Sequence, residues 1–314
     1  MIATLFSRAW IWAFVAAGIT FAFTAAIGQT AGGTGLLIAA LTFSAFSVIV
    51  GLGQMFVITL GPGNVDLSIP ATMTLAGTVS LKYMGGAAGV DIALVGLLVA
   101  LGIGLGAGIA NFALIKLLRI PPIIATLASS FVYLSLAIWS NRGIRIKPPE
   151  TLSDFAIGRS LGVPNVAWLA LVIAVIAWVA LNRAAYGRNL SATGQNPRAA
   201  RLAGVPVDAV RAITYVLCAG LAGLTGFLLS CFSGGAALNM GTEYLLTSIA
   251  VVVIGGSSIG GGRSNVPGIW AGALFLFLIV SMLNSYGLGA GVRLLMTGLI
   301  IIAIVAAGSR PVRG

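Results

Sequence analysis

The chain has 314 residues, 59% of them hydrophobic and only 7% charged, with a mean hydropathy of +1.09. Soluble domains carry about a quarter charged residues, so the solvent of this chain is lipid. Apolar runs of about 20 residues specify helices, not the alternating ten-residue strands of a barrel. The net charge of +11 has the sign of a nucleic-acid binder, but the 17 Lys and Arg fall at span ends and in loops, where membrane topology accounts for them.

The inventory excludes more. There is no His, and the two Cys, Cys218 and Cys231, sit among apolar neighbours. No zinc site, His-based triad or redox pair can be assembled from these residues. The chain reads as a non-enzymatic, all-α integral membrane protein forming one transmembrane domain over 1–314.

About ten spans are predicted, at 9–27, 36–60, 67–82, 91–115, 121–140, 166–182, 212–231, 244–260, 265–284 and 290–308. One positive charge before a long aromatic first run reads as a signal anchor, not a cleaved leader. With the N-terminus inside, Arg8, Lys116, Arg119, Arg183, Arg188, Arg198, Arg201, Arg211, Arg263, Arg310 and Arg313 are cytoplasmic. Lys82, Arg142, Arg145, Lys147, Arg159 and Arg293 fall outside. Eleven against six obeys the positive-inside rule and puts both termini in the cytoplasm. The stretch 141–165, with Pro148 and Pro149, is placed outside by parity alone.

The first interruption of the apolar pattern is 61–68, GPGNVDLS. Pro62 and two glycines cannot continue a helix, and Asn64, Asp66 and Ser68 bring polar groups to the membrane. Two uses are open for Asp66: an N-cap on the third span, or a broken helix lining a translocation path. Further on, Gly102, Gly104, Gly106 and Gly108 make two overlapping small-xxx-small pairs. Ala219/Gly223, Ala222/Gly226 and Gly268/Gly272 repeat the theme, which predicts close helix packing. Gln54, Asn111, Asn239 and Asn284 are candidates for interhelical hydrogen bonds or for pore contacts, and Glu243 for complementing the dipole of the eighth span.

The interval 183–211 is polar and contains GQNPRAARLAG at 194–204. Asn196 is a good N-cap, Pro197 suits the first helical position and Gly204 suits a left-handed C-terminus. A rod of two turns, about 10 Å long, is therefore slung between spans. It is either a merely solvated loop or a docking element. Last comes 254–262, IGGSSIGGG, which lacks the Gly-Lys-Ser/Thr ending of a phosphate-binding loop and predicts a tight turn or re-entrant bend including Gly255 and Gly256.

Three stretches resemble the permease subunits of bacterial ABC importers for monosaccharides of the ribose, xylose and galactose kind, within the branched-chain amino acid/sugar permease superfamily. QMFVITLGPGNVDLSIPATMTLAG at 54–77 is similar to the family's Gly-Gly-Ile-Asp-Leu-Ser-Val-Gly motif. RIPPIIATL at 119–127 is similar to its Arg-Val-Pro-Pro-Phe-Ile-Ala-Thr-Leu stretch. The third stretch runs from GQNPRAARLAGVPV through the GLAGLTG run to IAVVVIGGSSIGGGRSNVPG at 249–268. Asn64 and Pro70 depart from glycines of the first motif.

The resemblance implies a subunit that works in pairs, as a homodimer or with a second similar permease, in the bacterial inner membrane. Two ATPase subunits bind ATP and Mg beneath it, and a periplasmic binding protein delivers the sugar; this chain itself binds no cofactor. It makes Gly194, Asn196, Pro197, Arg198, Ala199, Ala200, Arg201, Leu202 and Gly204 the ATPase-coupling element, with the seventh span as transmitter. Asn64, Asp66, Ser68, Gly255 and Gly256 become the translocation path. Branched-chain amino acids, nucleosides or autoinducer-2 are alternative cargoes. An ion-coupled carrier is the alternative of another class, with Asp66 as its one intramembrane carboxylate.

Overall fold

The computed structural model describes residues 9–27, 32–85, 89–141 and 146–308. Arg8, Arg142, Arg145, Arg310, Arg313 and the side chain of Arg293, which enter the charge count, lie outside the described residues, as do both termini. The described chain is almost wholly helical. Its helices are α1 (Ala9–Ile27), α2 (Gly32–Thr59), α3 (Ile69–Met84), α4 (Val90–Leu117), α5 (Pro122–Asn141), α6 (Glu150–Ile157), α7 (Asn165–Asn182), α8 (Ala185–Gln195), α9 (Pro197–Leu202), α10 (Val207–Phe232), α11 (Tyr244–Ile254), α12 (Val266–Ser285) and α13 (Ala290–Gly308). A two-residue hairpin, β1 (Arg159–Ser160) with β2 (Val163–Pro164), lies between α6 and α7.

Each expected span meets a helix, but not every helix is a full span. Among the described residues α2, α4, α5, α7, α10 and α12 are long and apolar enough to cross a bilayer. Helix α11 has 11 residues, about 16 Å, which is half a bilayer core. Its end comes at Ile254, short of the expected 260. There Gly256 adopts φ 77°, Gly256 N–H donates to Val253 O and Ser257 N–H to Val252 O, the paired bonds that close a helix on a left-handed residue.

The other half of that crossing is a re-entrant segment, 233–243, which the sequence reading passed over. A Cβ on Gly226 of α10 would lie 2.0 Å from Met73 O of α3, and one on Gly241 would lie 2.2 Å from Pro70 O. Gly226 stands six residues before the end of α10, and Pro70 is three residues below Met73. At 1.5 Å per residue the chain has therefore dropped about 13 Å back into the bundle by Gly241.

Helix α10 is the hub, packed most extensively on α4, then on α3 and α2. Close approach rests on one of the two predicted glycine pairs in α4. A Cβ on Gly104 or Gly108 would meet the α10 backbone at Ala219 or Val216 within 2.5 Å, whereas Gly102 and Gly106 face open space. Gly223 answers from α10 against Ala100 and Gly104. Gly268 and Gly272 of α12 sit in the same way on Gly255 and Val251. With no hydrophobic drive between helices in lipid, such contacts and the interhelical hydrogen bonds supply cohesion. The core around Phe46, Ile49, Leu52, Met55, Tyr215 and Ile269 is fully buried.

The interval 183–211 is not a loop with one helix. Helix α8 fills its first half and α10 begins at Val207, five residues earlier than expected. Helix α8 is polar in composition, but Gly187, Leu190, Thr193 and Gly194 form a buried face, so its stability comes from tertiary packing.

Candidate coupling site and translocation path

Helix α9 has the ends expected of it. Asn196 Oδ1 accepts from the N–H groups of Arg198 and Ala199, both at 3.0 Å, and Pro197 follows directly. Gly204 has φ 83°, its N–H donates to Arg201 O and that of Val205 donates to Ala200 O. Both termini are thus satisfied locally. Only Ala200 is buried in this rod. Leu202 is 91% exposed, an apolar tip between cationic neighbours.

What lies beneath α9 could not be read from sequence. The two interrupted regions and the end of α8 meet at one point. Gly262 N–H donates to Thr59 O at 2.9 Å. A Cβ on Gly194 would lie 1.9 Å from Thr59 O and 2.5 Å from Gly262 N, and one on Gly261 would lie 2.4 Å from Gly61 Cα. Three backbones from three distant parts of the chain are in contact with no side chain between them. Gly194 therefore belongs to this buried junction, while Asn196 to Gly204 form the exposed rod. Gly255 is buried against Gly268, its carbonyl accepting from Asn265 Nδ2 at 2.7 Å; Gly256 is exposed.

Asp66 is 1% exposed and is not the cap of α3. Its Oδ1 accepts from Ser68 N–H at 2.8 Å and Ser68 Oγ at 2.6 Å, a local turn that ends before the helix begins. The bonds continue outward. Asn111 Nδ2 of α4 donates to Ser68 Oγ at 2.8 Å, and Tyr133 Oη of α5 donates to Asn111 Oδ1 at 3.0 Å. Gln54 Oε1 accepts from Asp66 N–H at 3.2 Å, and Thr126 Oγ1 accepts from Leu67 N–H at 3.0 Å. Tyr215 Oη of α10 donates to Asn64 Oδ1 at 3.3 Å, and the Cys218 thiol is a further neighbour of Asp66. Thus α2, α4, α5 and α10 all hold the break in place. Gln54 and Asn111, expected as interhelical ties, are used in that way; Thr126 lies in the RIPPIIATL stretch but was not expected to bond the break, and Tyr133 and Cys218 were not expected there either. No N–H or O–H group reaches Asp66 Oδ2.

An ionic tie joins α9 to the membrane helices. Asp208, in the first turn of α10, pairs with Lys116 near the end of α4 and with Arg201 of α9 at 3.3 Å. Arg201 of the coupling element is thus already engaged inside the chain. The tie also places the end of α4 beside α9. Helix α6 is anchored at the other end of α10 through Ser153 Oγ and Cys231 O, so the α6 hairpin region and α9 occupy opposite ends of the molecule.

Comparison with known proteins decides the family. Residues 1–305 match the family model described as branched-chain amino acid transport system / permease component. The chain belongs to this permease family. The permease is 30% identical to the ribose import permease protein RbsC of Escherichia coli K12, over 82% of this chain and 81% of that one. It is 32% identical to RbsC of Bacillus subtilis, with 83% and 80% covered. It is 29% identical to the autoinducer 2 import system permease protein LsrC of Salmonella paratyphi B, with 86% and 78% covered. The permease is a multi-pass membrane protein and a transport subunit, not an enzyme.

Proposed function

We propose that this permease forms the membrane path of an ATP-driven importer for a monosaccharide, working as one of a pair in the bacterial inner membrane. Separate ATPase subunits dock on α9 from the cytoplasm, where both termini also lie, and a periplasmic binding protein delivers cargo at the α6 end. The observation that carries this reading is the glycine junction. An exposed, doubly capped rod follows two residues after Gly194, which is itself seated on the two interrupted membrane regions, so force applied to α9 is passed through Gly194 to Thr59 and Gly262. A short rod with an apolar tip suits a groove on a soluble partner. The junction gives a shorter route than transmission along α10 alone. The cargo class rests on the ribose and autoinducer 2 import relatives.

The test is reconstitution of the permease with its ATPase and binding protein in proteoliposomes, with ATP-driven uptake measured for labelled ribose, other monosaccharides and leucine. Leu202→Glu should abolish binding-protein-stimulated ATP hydrolysis without lowering thermal stability, because Leu202 is nearly free of contacts in the chain. Arg201→Glu should also reduce coupling, with part of its effect arising from the lost Asp208 pair. Unchanged coupling in both variants refutes docking through α9. Uptake of leucine but not sugar moves the cargo to branched-chain amino acids.

A further inference from the structure

The re-entrant segment 233–243 carries polar side chains to a depth where lipid cannot receive them. Gly241 is seated on Pro70, about 13 Å inside the end of α10. Asn239, Thr242 and Glu243, which flank it, are all exposed. Glu243 has no ion pair among the described residues, and its side chain makes no capping bond at the start of α11. A carboxylate exposed at this depth does not face hydrocarbon, and non-helical backbone at membrane depth is tolerated only inside protein or against water. The surface bearing Glu243 therefore faces water or another protein surface, and not lipid.

We propose that Glu243, with Asn239 and Thr242, lines the translocation path and takes the hydroxyl groups of a neutral, polyhydroxylated solute. This rests on the importer reading above and names the substrate-contacting wall within it. An ionised carboxylate is acceptor-only and suits hydroxyl donors, an amide supplies both functions, and a threonine hydroxyl adapts to either. No Lys or Arg occurs between 212 and 262, so this segment itself offers no cation to an anionic solute, and the Glu243 carboxylate repels phosphorylated or carboxylated analogues. Glu243 also stands at the start of α11, whose far end is the Gly255–Gly262 side of the junction beneath α9. Movement at the junction thus reaches the wall through one short helix.

The experiment uses the complete importer in proteoliposomes. Cys218 and Cys231 are buried, so a Glu243→Cys variant can be probed with a membrane-impermeant methanethiosulfonate. Labelling that is slowed by saturating cargo is expected. Glu243→Gln should lower uptake of the neutral sugar about tenfold, the order of one charge-assisted hydrogen bond. Glu243→Lys should shift uptake toward anionic analogues. Failure of the reagent to label position 243 in every nucleotide state overturns the proposal, as does full sugar uptake by Glu243→Gln. If the unmodified importer takes up no sugar at all, the importer reading falls instead, and thiol labelling still reports whether the wall is wet.

Discussion

Gly194 and Thr59 meet so closely that a single added carbon on the former would fall 1.9 Å from the carbonyl oxygen of the latter. No rotamer relieves such a contact, because the obstacle is backbone. Gly194→Ala should therefore separate α8 from α2, with a cost of about 1–3 kcal/mol for overpacking. A lower melting temperature in detergent and a larger loss of uptake per ATP hydrolysed are the expected readouts. A variant with full coupling would remove the junction from the transmission route.

The N-cap of α9 offers a milder lesion. Asn196→Ala leaves two N–H groups without their acceptor and should cost about 1 kcal/mol, confined to the rod. Hydrogen exchange should quicken over 197–203 and not over α10. Asn196→Asp, which keeps the acceptor, should restore protection.

Ser68 and Asn111 form the innermost bond between the first break and α4. Single alanine variants should each destabilise the protein, and the double variant should fall short of their sum by about 0.5–3 kcal/mol, as for residues in one network. Additive effects, measured by chemical denaturation in micelles, would mean that the bond is not formed in solution.

Asp66 presents a contrast between stability and function. A buried carboxylate without a cationic partner is costly, so Asp66→Asn should match or exceed the unmodified protein in melting temperature. Transport should nevertheless fall if the break at 61–68 serves the path. Stability and uptake measured on the same preparation separate these effects.

The Lys116–Asp208–Arg201 tie is exposed, so its energetic weight is small. Asp208→Asn should change stability by no more than about 1 kcal/mol, and the difference should shrink further in high salt. A larger effect on coupling than on melting would show that the tie positions α9 rather than holding the fold.

The helices and the ends of α9 were legible in the sequence because their causes are local. Long apolar runs must satisfy their own backbone in lipid, and Asn196, Pro197 and Gly204 act on N–H and C=O groups within a few residues of themselves. The interruptions at 61–68 and after Ile254 were legible for the same reason, since Pro62 between two glycines and the clustered glycines of 255–262 disfavour a helix through their own backbones. Only the tertiary structure decided which surfaces meet. It used Gly104 and Gly108 but not Gly102 and Gly106, made a stable helix of polar α8, and turned 233–243 back into the bundle. It also brought Thr59, Gly194 and Gly262 to one point and strung Asp66, Ser68, Asn111 and Tyr133 into one network. Such contacts depend on the depth and rotation of helices distant in sequence, and in lipid these are set by shape and by hydrogen bonds between helices, which leave no periodic mark on the chain.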